Sequence, residues 1–247
     1  MDNQSIYCAE NYAQVYDEDR YGGPFGRYLH ELELNTFISL MDSTYSYVLD
    51  VGAGTGKLSI PLSLQYENVL ALDFSPEMIK VAIINAKKRG IELKTIVCDA
   101  QLLCFNDKTF DCVLSSRMLM HLTDWRKGIA ELCRVSKRVV ILDFPPLLGF
   151  GGFDSLLKRF IKIFIGHTQT YKTFLVNSIA QEFQKNHFKV LVKRRHFFLP
   201  YSFHRWLNRP WLSERIEKFF GIIGLIRFMG APVTVKAVRE KYLCYKS

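Results

Sequence analysis

Three carboxylates and a run of glycines carry the chemistry that this chain advertises. In Val48-Leu49-Asp50-Val51-Gly52-Ala53-Gly54-Thr55-Gly56, an apolar β-type run ends in an acid and passes into glycines at alternate positions. Glycine lets a backbone turn tightly and approach a ligand with no Cβ in the way. Two more apolar runs end in acids, Val69-Leu70-Ala71-Leu72-Asp73 and Thr95-Ile96-Val97-Cys98-Asp99-Ala100. An acid at the end of the second strand of such a sheet accepts hydrogen bonds from ribose hydroxyls, so Asp73 is a candidate nucleoside ligand. Phosphate-binding loops fit poorly. A P-loop needs G-x-x-x-x-G-K-[ST], but Val51 stands at its first glycine and Leu58 at its Ser/Thr. The dinucleotide pattern G-x-G-x-x-G meets Lys57 at its third glycine. Taken alone, the loop is also compatible with an ordinary glycine-rich turn.

These residues need strands that end at one edge and helices that start there. Leu58-Ser59-Ile60-Pro61-Leu62 reads as the start of a helix, with Pro61 early enough for its missing N–H to matter little. Ser75-Pro76-Glu77 reads as N-cap, N1 and N2, and Ile79, Ala82, Ile83 and Ala86 follow at helical spacing. Phe110 to Ser116 gives a fourth strand. Alternation of strands and helices through Phe144 implies a parallel sheet with helices on both faces. Tyr12 to Met41 is expected to cover the site, with a helix from about Phe25. Lys172 to Asn186 reads as a helix, Phe188 to Val192 begins a late strand, and Pro232 to Arg239 closes the sheet.

The order and spacing of "VLDVGAGTG", "ALDFSPEMI", "CDAQLLCFNDKTFDCVLSS" and "HLTDWRKGIAELCRVSKRVVILDF" resemble the core of class I S-adenosylmethionine (SAM)-dependent methyltransferases. The similarity is strongest to the small-molecule branch that includes the ubiquinone/menaquinone C-methyltransferases. The resemblance implies an α/β, Rossmann-like, mostly parallel seven-stranded sheet with an antiparallel member at its end, helices on both faces and helical lid insertions. It implies one methyltransferase domain over residues 1–247. A cover would span 1–45 and a SAM-binding core 46–144, with helical insertions at 145–171 and 201–230. Asp50, Gly52, Ala53, Gly54, Thr55 and Gly56 would cradle the methionine part of SAM. Asp73 would bind the ribose, Phe74 would flank the adenine, and Asp99 and Ala100 would meet its edge. Ser115 or Ser116 would close the site from the fourth strand. One departure is Val135-Ser136-Lys137-Arg138, where the family often has a K-P-G-G turn.

Catalysis of an in-line methyl displacement rests mainly on geometry, and a base is needed only if the acceptor must lose a proton. His121, in Met120-His121-Leu122-Thr123-Asp124, is the candidate catalytic residue, as a base for a hydroxyl; its other reading is a structural turn residue. Tyr16, Arg20 and Tyr21 could close over the cofactor, and a tyrosine face suits a sulfonium. His167, His196 and His204 fall in the variable region. No C-x-x-C pair occurs among the six cysteines, so no metal is expected, and reduced thiols fit a cytoplasmic chain.

The charge is uneven. Residues 1–150 carry a net −4 and residues 151–247 a net +13. Such asymmetry points to an anionic partner. In the first insertion, Phe153, Leu156, Leu157, Phe160, Ile161, Phe164 and Ile165 form a helical stripe with Lys158, Arg159 and Lys162 elsewhere. The second mixes Trp206, Trp211, Phe219, Phe220, Ile222, Ile223 and Phe228 with Arg205, Arg209, Arg215, Lys218 and Arg227. Both suit a membrane interface, or the wall of a pocket for a greasy substrate. No apolar run reaches the ~20 residues of a membrane span, and the polar start gives no secretory signal. The expectation is therefore a cytoplasmic enzyme, peripheral on an anionic membrane. It would methylate a small, hydrophobic or lipid-linked acceptor (a quinone, a polyprenyl or glycolipid intermediate, or a polyketide). The alternatives are an RNA methyltransferase and a non-catalytic SAM-fold protein that binds a membrane or partner through its basic half. Nucleic acid is the weaker substrate class: after the fourth strand Ser115-Ser116-Arg117-Met118 replaces the [DN]-P-P-[YF] of base aminomethylation, and no Pro-Cys pair serves cytosine.

Overall fold

A computed structural model describes residues 10–147 and 172–243. Two helices come first, α1 (Glu10–Tyr21) and α2 (Gly23–Leu40). Then follow β1 (Tyr47–Val51), the single turn α3 (Ser59–Leu62), β2 (Asn68–Asp73), α4 (Pro76–Lys87), β3 (Lys94–Val97) and β4 (Phe110–Ser115). After a 3-10 turn at Leu119–His121 come α5 (Trp125–Val135), β5 (Ser136–Phe144), α6 (Val176–Lys185) and β6 (Phe188–Phe197). Helices α7 (Tyr201–Leu207), α8 (Pro210–Ile222) and α9 (Leu225–Met229) lead to β7 (Ala231–Arg239). The seven strands form one sheet in the order β3-β2-β1-β4-β5-β7-β6. All pairings are parallel except those of β7, which runs antiparallel to β5 and β6. The chain reverses direction across the sheet between β1 and β4, and ligands of open α/β sheets bind at that switch point.

The alternating side chains of the central strands feed two cores. Leu49, Val51, Val113 and Leu142 face α5 and α6, where Ile129, Leu132, Ile179 and Phe183 bury. Val48, Cys112, Leu114 and Ile141 face Phe37 and Leu40 of α2 and Leu62 of α3. Both faces are dry, as a parallel sheet requires. Ser75 caps α4 by accepting from the Met78 amide at 3.2 Å, with Pro76 at the start of the helix. Replacing Ser75 by alanine is expected to cost about 1 kcal/mol in urea unfolding, and a change within about 0.3 kcal/mol would deny the cap its role.

Several boundaries differ from the sequence expectation. The third strand ends at Val97 rather than Ala100, because Asp99 turns back and accepts the Gln101 amide at 2.8 Å. The helix expected from Lys172 begins at Val176. Phe174 is instead tied in extended form to residues 145–147, its amide donating to the Pro145 carbonyl at 3.0 Å and its own carbonyl accepting from Leu147 at 2.8 Å. The helix after the glycine loop is the single turn α3. At Val135-Ser136 there is no turn, and α5 runs directly into β5. Arg239 makes this junction tolerable by donating to the Cys133 and Ser136 carbonyls, both at 2.6 Å. The second insertion is helical, as α7, α8 and α9. Of the first, only 145–147 are described, so the basic stripe at Phe153–Ile165, His167, Cys8 and Cys244 lie outside the described residues. No described helix is long and apolar enough to cross a membrane.

Candidate active site

The glycine loop leaves the tip of β1 with Gly52, Gly54 and Gly56 at φ of 78°, 55° and 85°. These are left-handed conformations in which a side chain is strained. At Gly52 a Cβ would also lie 2.7 Å from Met118. The loop is tied across the sheet by the Gly52 and Ala53 amides, which both donate to the Leu72 carbonyl. The tie is completed by Asp73 at the tip of β2. Its carboxylate accepts the Gly54 amide at 2.8 Å and the Ser75 amide at 2.9 Å. Burial raises the Asp73 pKa, and the hydrogen bonds from Ser75, Gly54 and Phe74 oppose that rise. Asp50 lies one layer deeper, bonded to Ser59 Oγ, and burial with the nearby Asp73 charge pushes it up to about 6.

Above the loop is an open cleft. Asp50, Gly52, Ala53, Gly54 and Thr55 line one part of it. Asp73 and Phe74 stand at the second strand tip, with Asp99 and Ala100 at the third. Ser116 and His121 line the far side. Two candidates sit elsewhere. Gly56 opens onto a smaller hollow beside Lys57 and Asn85 and packs against Ile60 and Ala82. Ser115 is buried and donates to the Val51 carbonyl at 2.9 Å, so Ser116 is the serine that faces the cleft.

The N-terminal helices form the roof, with Tyr16 and Tyr21 lining the cleft. Asp17 of α1 anchors them. It accepts from Thr55 Oγ1 at 2.6 Å, pairs with Lys57 at 3.0 Å and receives Asn85 Nδ2 at 3.4 Å. One residue thus clips the cover to the glycine loop and to α4. The Arg20 carbonyl accepts from Arg205 of α7 at 3.0 Å.

A buried polar cluster, missed in the sequence, closes the end of the cleft away from Asp73. Tyr21 OH donates to Glu33 Oε2 at 3.2 Å, and Arg117 Nη1 lies 3.2 Å from Glu33 Oε1. The Arg117 guanidinium also sits 4.9 Å from the Tyr21 ring centre. Its own backbone is left-handed, at φ 54°, and its amide donates to Asp143 at the end of β5. Burial pushes Glu33 up to about 8, Asp143 adds to the rise and Arg20 opposes it. Burial, then Arg20 and Arg117, push His121 down to about 4. His121 is therefore uncharged at neutral pH and a weaker base than a free imidazole. His196 and His204 serve structure: His196 Nε2 meets Thr234 Oγ1 at 2.9 Å, and His204 is fully buried against Glu217. Among the described residues no group of His, Cys, Asp and Glu could hold a metal ion.

Glu33 makes a pH prediction. The folded chain keeps a proton there that the unfolded chain, at the ordinary value of 4.5, releases. Stability from this group is thus fully present below about pH 4.5 and is lost as pH rises toward about 8. Relative to Glu33→Gln, the parent chain is expected to lose urea midpoint between about pH 5 and about pH 8. Parallel midpoints for the two chains would refute the assignment.

Comparison with known proteins agrees with this architecture. Residues 48–138 match the family model of a methyltransferase domain. The chain is 36% identical over 104 residues to a demethylmenaquinone methyltransferase of Thermus thermophilus, covering 40% of this chain and 47% of that protein. It is 28% identical over 196 residues to the ubiquinone/menaquinone biosynthesis C-methyltransferase UbiE of Rickettsia prowazekii, covering 68% and 75%. The chain therefore spans about half the length of the Thermus relative. Among solved structures, a SAM-dependent methyltransferase of Thermotoga maritima, described as a possible histamine N-methyltransferase, superposes with a TM-score of 0.64 at 18% identity, over 93% of this chain and 97% of that one. Magnesium protoporphyrin IX methyltransferase of Synechocystis, with bound SAH, gives 0.60 at 20% identity, over 85% and 82%. Residues 48–138 thus carry a methyltransferase domain, on a sheet shared with SAM-dependent methyltransferases of known structure, and the chain has distant similarity to the ubiquinone/menaquinone C-methyltransferases.

Proposed function

We propose that this chain transfers a methyl group from SAM to a small acceptor with a hydrophobic body. The observation that carries the reading is Asp73, whose carboxylate fixes the Gly54 amide at a strand tip and stands at the cleft. Asp73 would hold the ribose and Phe74, which is 46% exposed, would lie on the adenine. Asp99 and Ala100 would meet the adenine edge. The Gly52–Thr55 backbone would receive the amino-acid end, leaving the methyl pointing toward Ser116, Arg117 and His121. SAM supplies an activated methyl on sulfur, and the protein supplies alignment. Arg117 places positive charge where an acceptor would enter, which favours an electron-rich oxygen or an adjacent carbon over a cationic amine. His121, neutral at working pH, would take the proton of a hydroxyl acceptor.

The named relatives methylate menaquinone or ubiquinone precursors, and a lipid-linked ring of that kind is one acceptor that this cleft would suit. An anionic membrane surface is part of the same reading, because such acceptors live in lipid. The test is incubation of the chain and SAM with a lipid extract, followed by mass spectrometry. The expected result is a species heavier by one CH2 whose formation requires the protein. Unchanged lipid, together with methyl transfer to bulk RNA from labelled SAM, would reverse the choice of substrate class.

A further inference from the structure

The helices between β6 and β7 leave several large apolar residues exposed to water. In α8, Ser213 and Glu217 face inward and are buried, while Trp211, Phe219 and Ile222 stand 54%, 58% and 85% exposed. Glu217 is inside because the chain uses it there. Its carboxylate accepts the Phe198 and Leu199 amides at 2.7 and 3.0 Å and meets His204 Nε2 at 2.8 Å. Trp211, Arg215, Phe219 and Ile222 are spaced i, i+4, i+8 and i+11, so they share one helical face. The helices on either side of α8 in the chain add exposed apolar residues of their own, Trp206 on α7, 79% exposed, and Phe228 on α9, 69% exposed. A helix that meets water alone turns its polar side outward. Large apolar residues grouped on one face mark an interaction surface.

The charges on this face select the partner. Arg205, Arg209, Arg215, Lys218 and Arg227 are interleaved with the apolar residues. Of the acids in the segment, Glu217 is buried and Glu214 is paired with Lys218 at 2.8 Å. Arg215 stacks on Trp211, its guanidinium 5.5 Å from the ring centre. Tryptophan at headgroup depth, aliphatic groups among acyl chains and arginines on phosphates are the chemistry of an anionic bilayer interface. A second copy of this chain fits less well, because a two-fold contact would set Arg209, Arg215 and Arg227 near their own counterparts.

We infer that α7, α8 and α9 form a docking surface for an anionic lipid bilayer. The surface and the cleft share a helix. Tyr201, the first residue of α7, lies within the electrostatic reach of Glu33, Arg117 and Asp143. The Asn208 side chain at the end of α7 accepts from the Phe25 amide at 3.5 Å. Docking would thus bring the acceptor end of the cleft to the lipid. This consequence rests on the hydrophobic-acceptor reading, whereas the docking itself does not.

Two of the three tryptophans in the chain, Trp206 and Trp211, lie on this face, and the third, Trp125, packs on Phe174. Intrinsic fluorescence therefore reports the surface directly. The full chain is mixed with vesicles of phosphatidylcholine alone, or of phosphatidylcholine with phosphatidylglycerol. The expected result is co-sedimentation and a blue-shifted emission with the anionic vesicles only, reversed by salt. Arg215→Gln and Arg227→Gln should each weaken binding about fivefold. The combined Trp206→Ser, Phe219→Ser and Ile222→Ser variant should no longer sediment, while its titration with S-adenosylhomocysteine matches the parent. Equal recovery on both kinds of vesicle, or parent-like sedimentation of the triple variant, would overturn the proposal. A mass that doubles in lipid-free solution and reverts in the triple variant would reassign the face to a second copy. Sedimentation without S-adenosylhomocysteine binding would strike only at the methyl-transfer reading.

Discussion

Asp73→Ala is expected to weaken SAM binding by roughly two to three powers of ten. Each hydrogen bond to a charged group is worth about 1.5–3 kcal/mol, and a ribose offers two hydroxyls to one carboxylate. Two of them give about 3–6 kcal/mol, and the lower half of that range, about two to three powers of ten at about 1.4 kcal/mol per tenfold change, applies because the same carboxylate also serves two backbone amides. Asp73 also organises the protein before any ligand arrives, since the Gly54 and Ser75 amides both end on its carboxylate. The variant therefore loses the ribose acceptor and part of the loop's shape together. Asp73→Asn separates the two roles. Its amide keeps one acceptor oxygen, so it should fall between the parent and the alanine variant. Isothermal titration with SAM reads affinity, and the unfolding midpoint of the free protein reads the loop. An affinity within about threefold of the parent in the alanine variant would remove Asp73 from the site.

Arg117→Met should cost about 3 kcal/mol of folding stability, the lower end of the range for breaking a buried charged pair. The lower end applies because Glu33, pushed up to about 8, already holds its proton at neutral pH, so the variant leaves behind a neutral carboxyl rather than an unpaired charge. Methionine keeps much of the side-chain volume and suffers the same left-handed backbone as arginine, so the comparison isolates the guanidinium. Glu33→Gln in the same background should recover part of the loss, since the isolated carboxyl is then gone. A double-mutant cycle in urea measures this coupling. Additive effects would mean that the 3.2 Å approach of Arg117 to Glu33 carries no energy. For methyl transfer, the loss should exceed any loss of SAM affinity, because Arg117 lies at the acceptor end of the cleft.

The glycine-loop side of the cleft was legible in the chain because its determinants are local. Glycines at alternate positions after Asp50 suit a tight, close-approach loop, and an acid at the end of an apolar run falls at or just past a strand tip by the geometry of a parallel sheet. Even there, Ser115 and Ser116 could not be told apart until the pleat of β4 turned one inward to Val51 and the other toward the cleft. The roof and the far end of the cleft were opaque because their contacts join distant residues. Thr55 and Asp17 are 38 positions apart, and Arg117 and Asp143 are 26 apart. Neither pair has a spacing that a motif could encode. Glu33 looked like one more acid on an amphipathic helix until Tyr21 and Arg117 were seen to bury it. The apolar residues of α8 were visible as types, but which side of the helix faced water depended on Glu217 finding Phe198, Leu199 and His204 inside. The start of α6 was misjudged for a similar reason, since Phe174 is held extended by residues 145–147 rather than by its own helix.

SAM is expected across the carboxyl ends of β1, β2 and β3, with its methyl toward Arg117 and His121. A crystal structure of the chain with S-adenosylhomocysteine tests it most directly. The expected density has both ribose hydroxyls on Asp73, the adenine between Phe74 and Ala100, and the sulfur toward Arg117 and His121. Ligand density anywhere else at saturating concentration, or side chains filling that cleft in its presence, would contradict it.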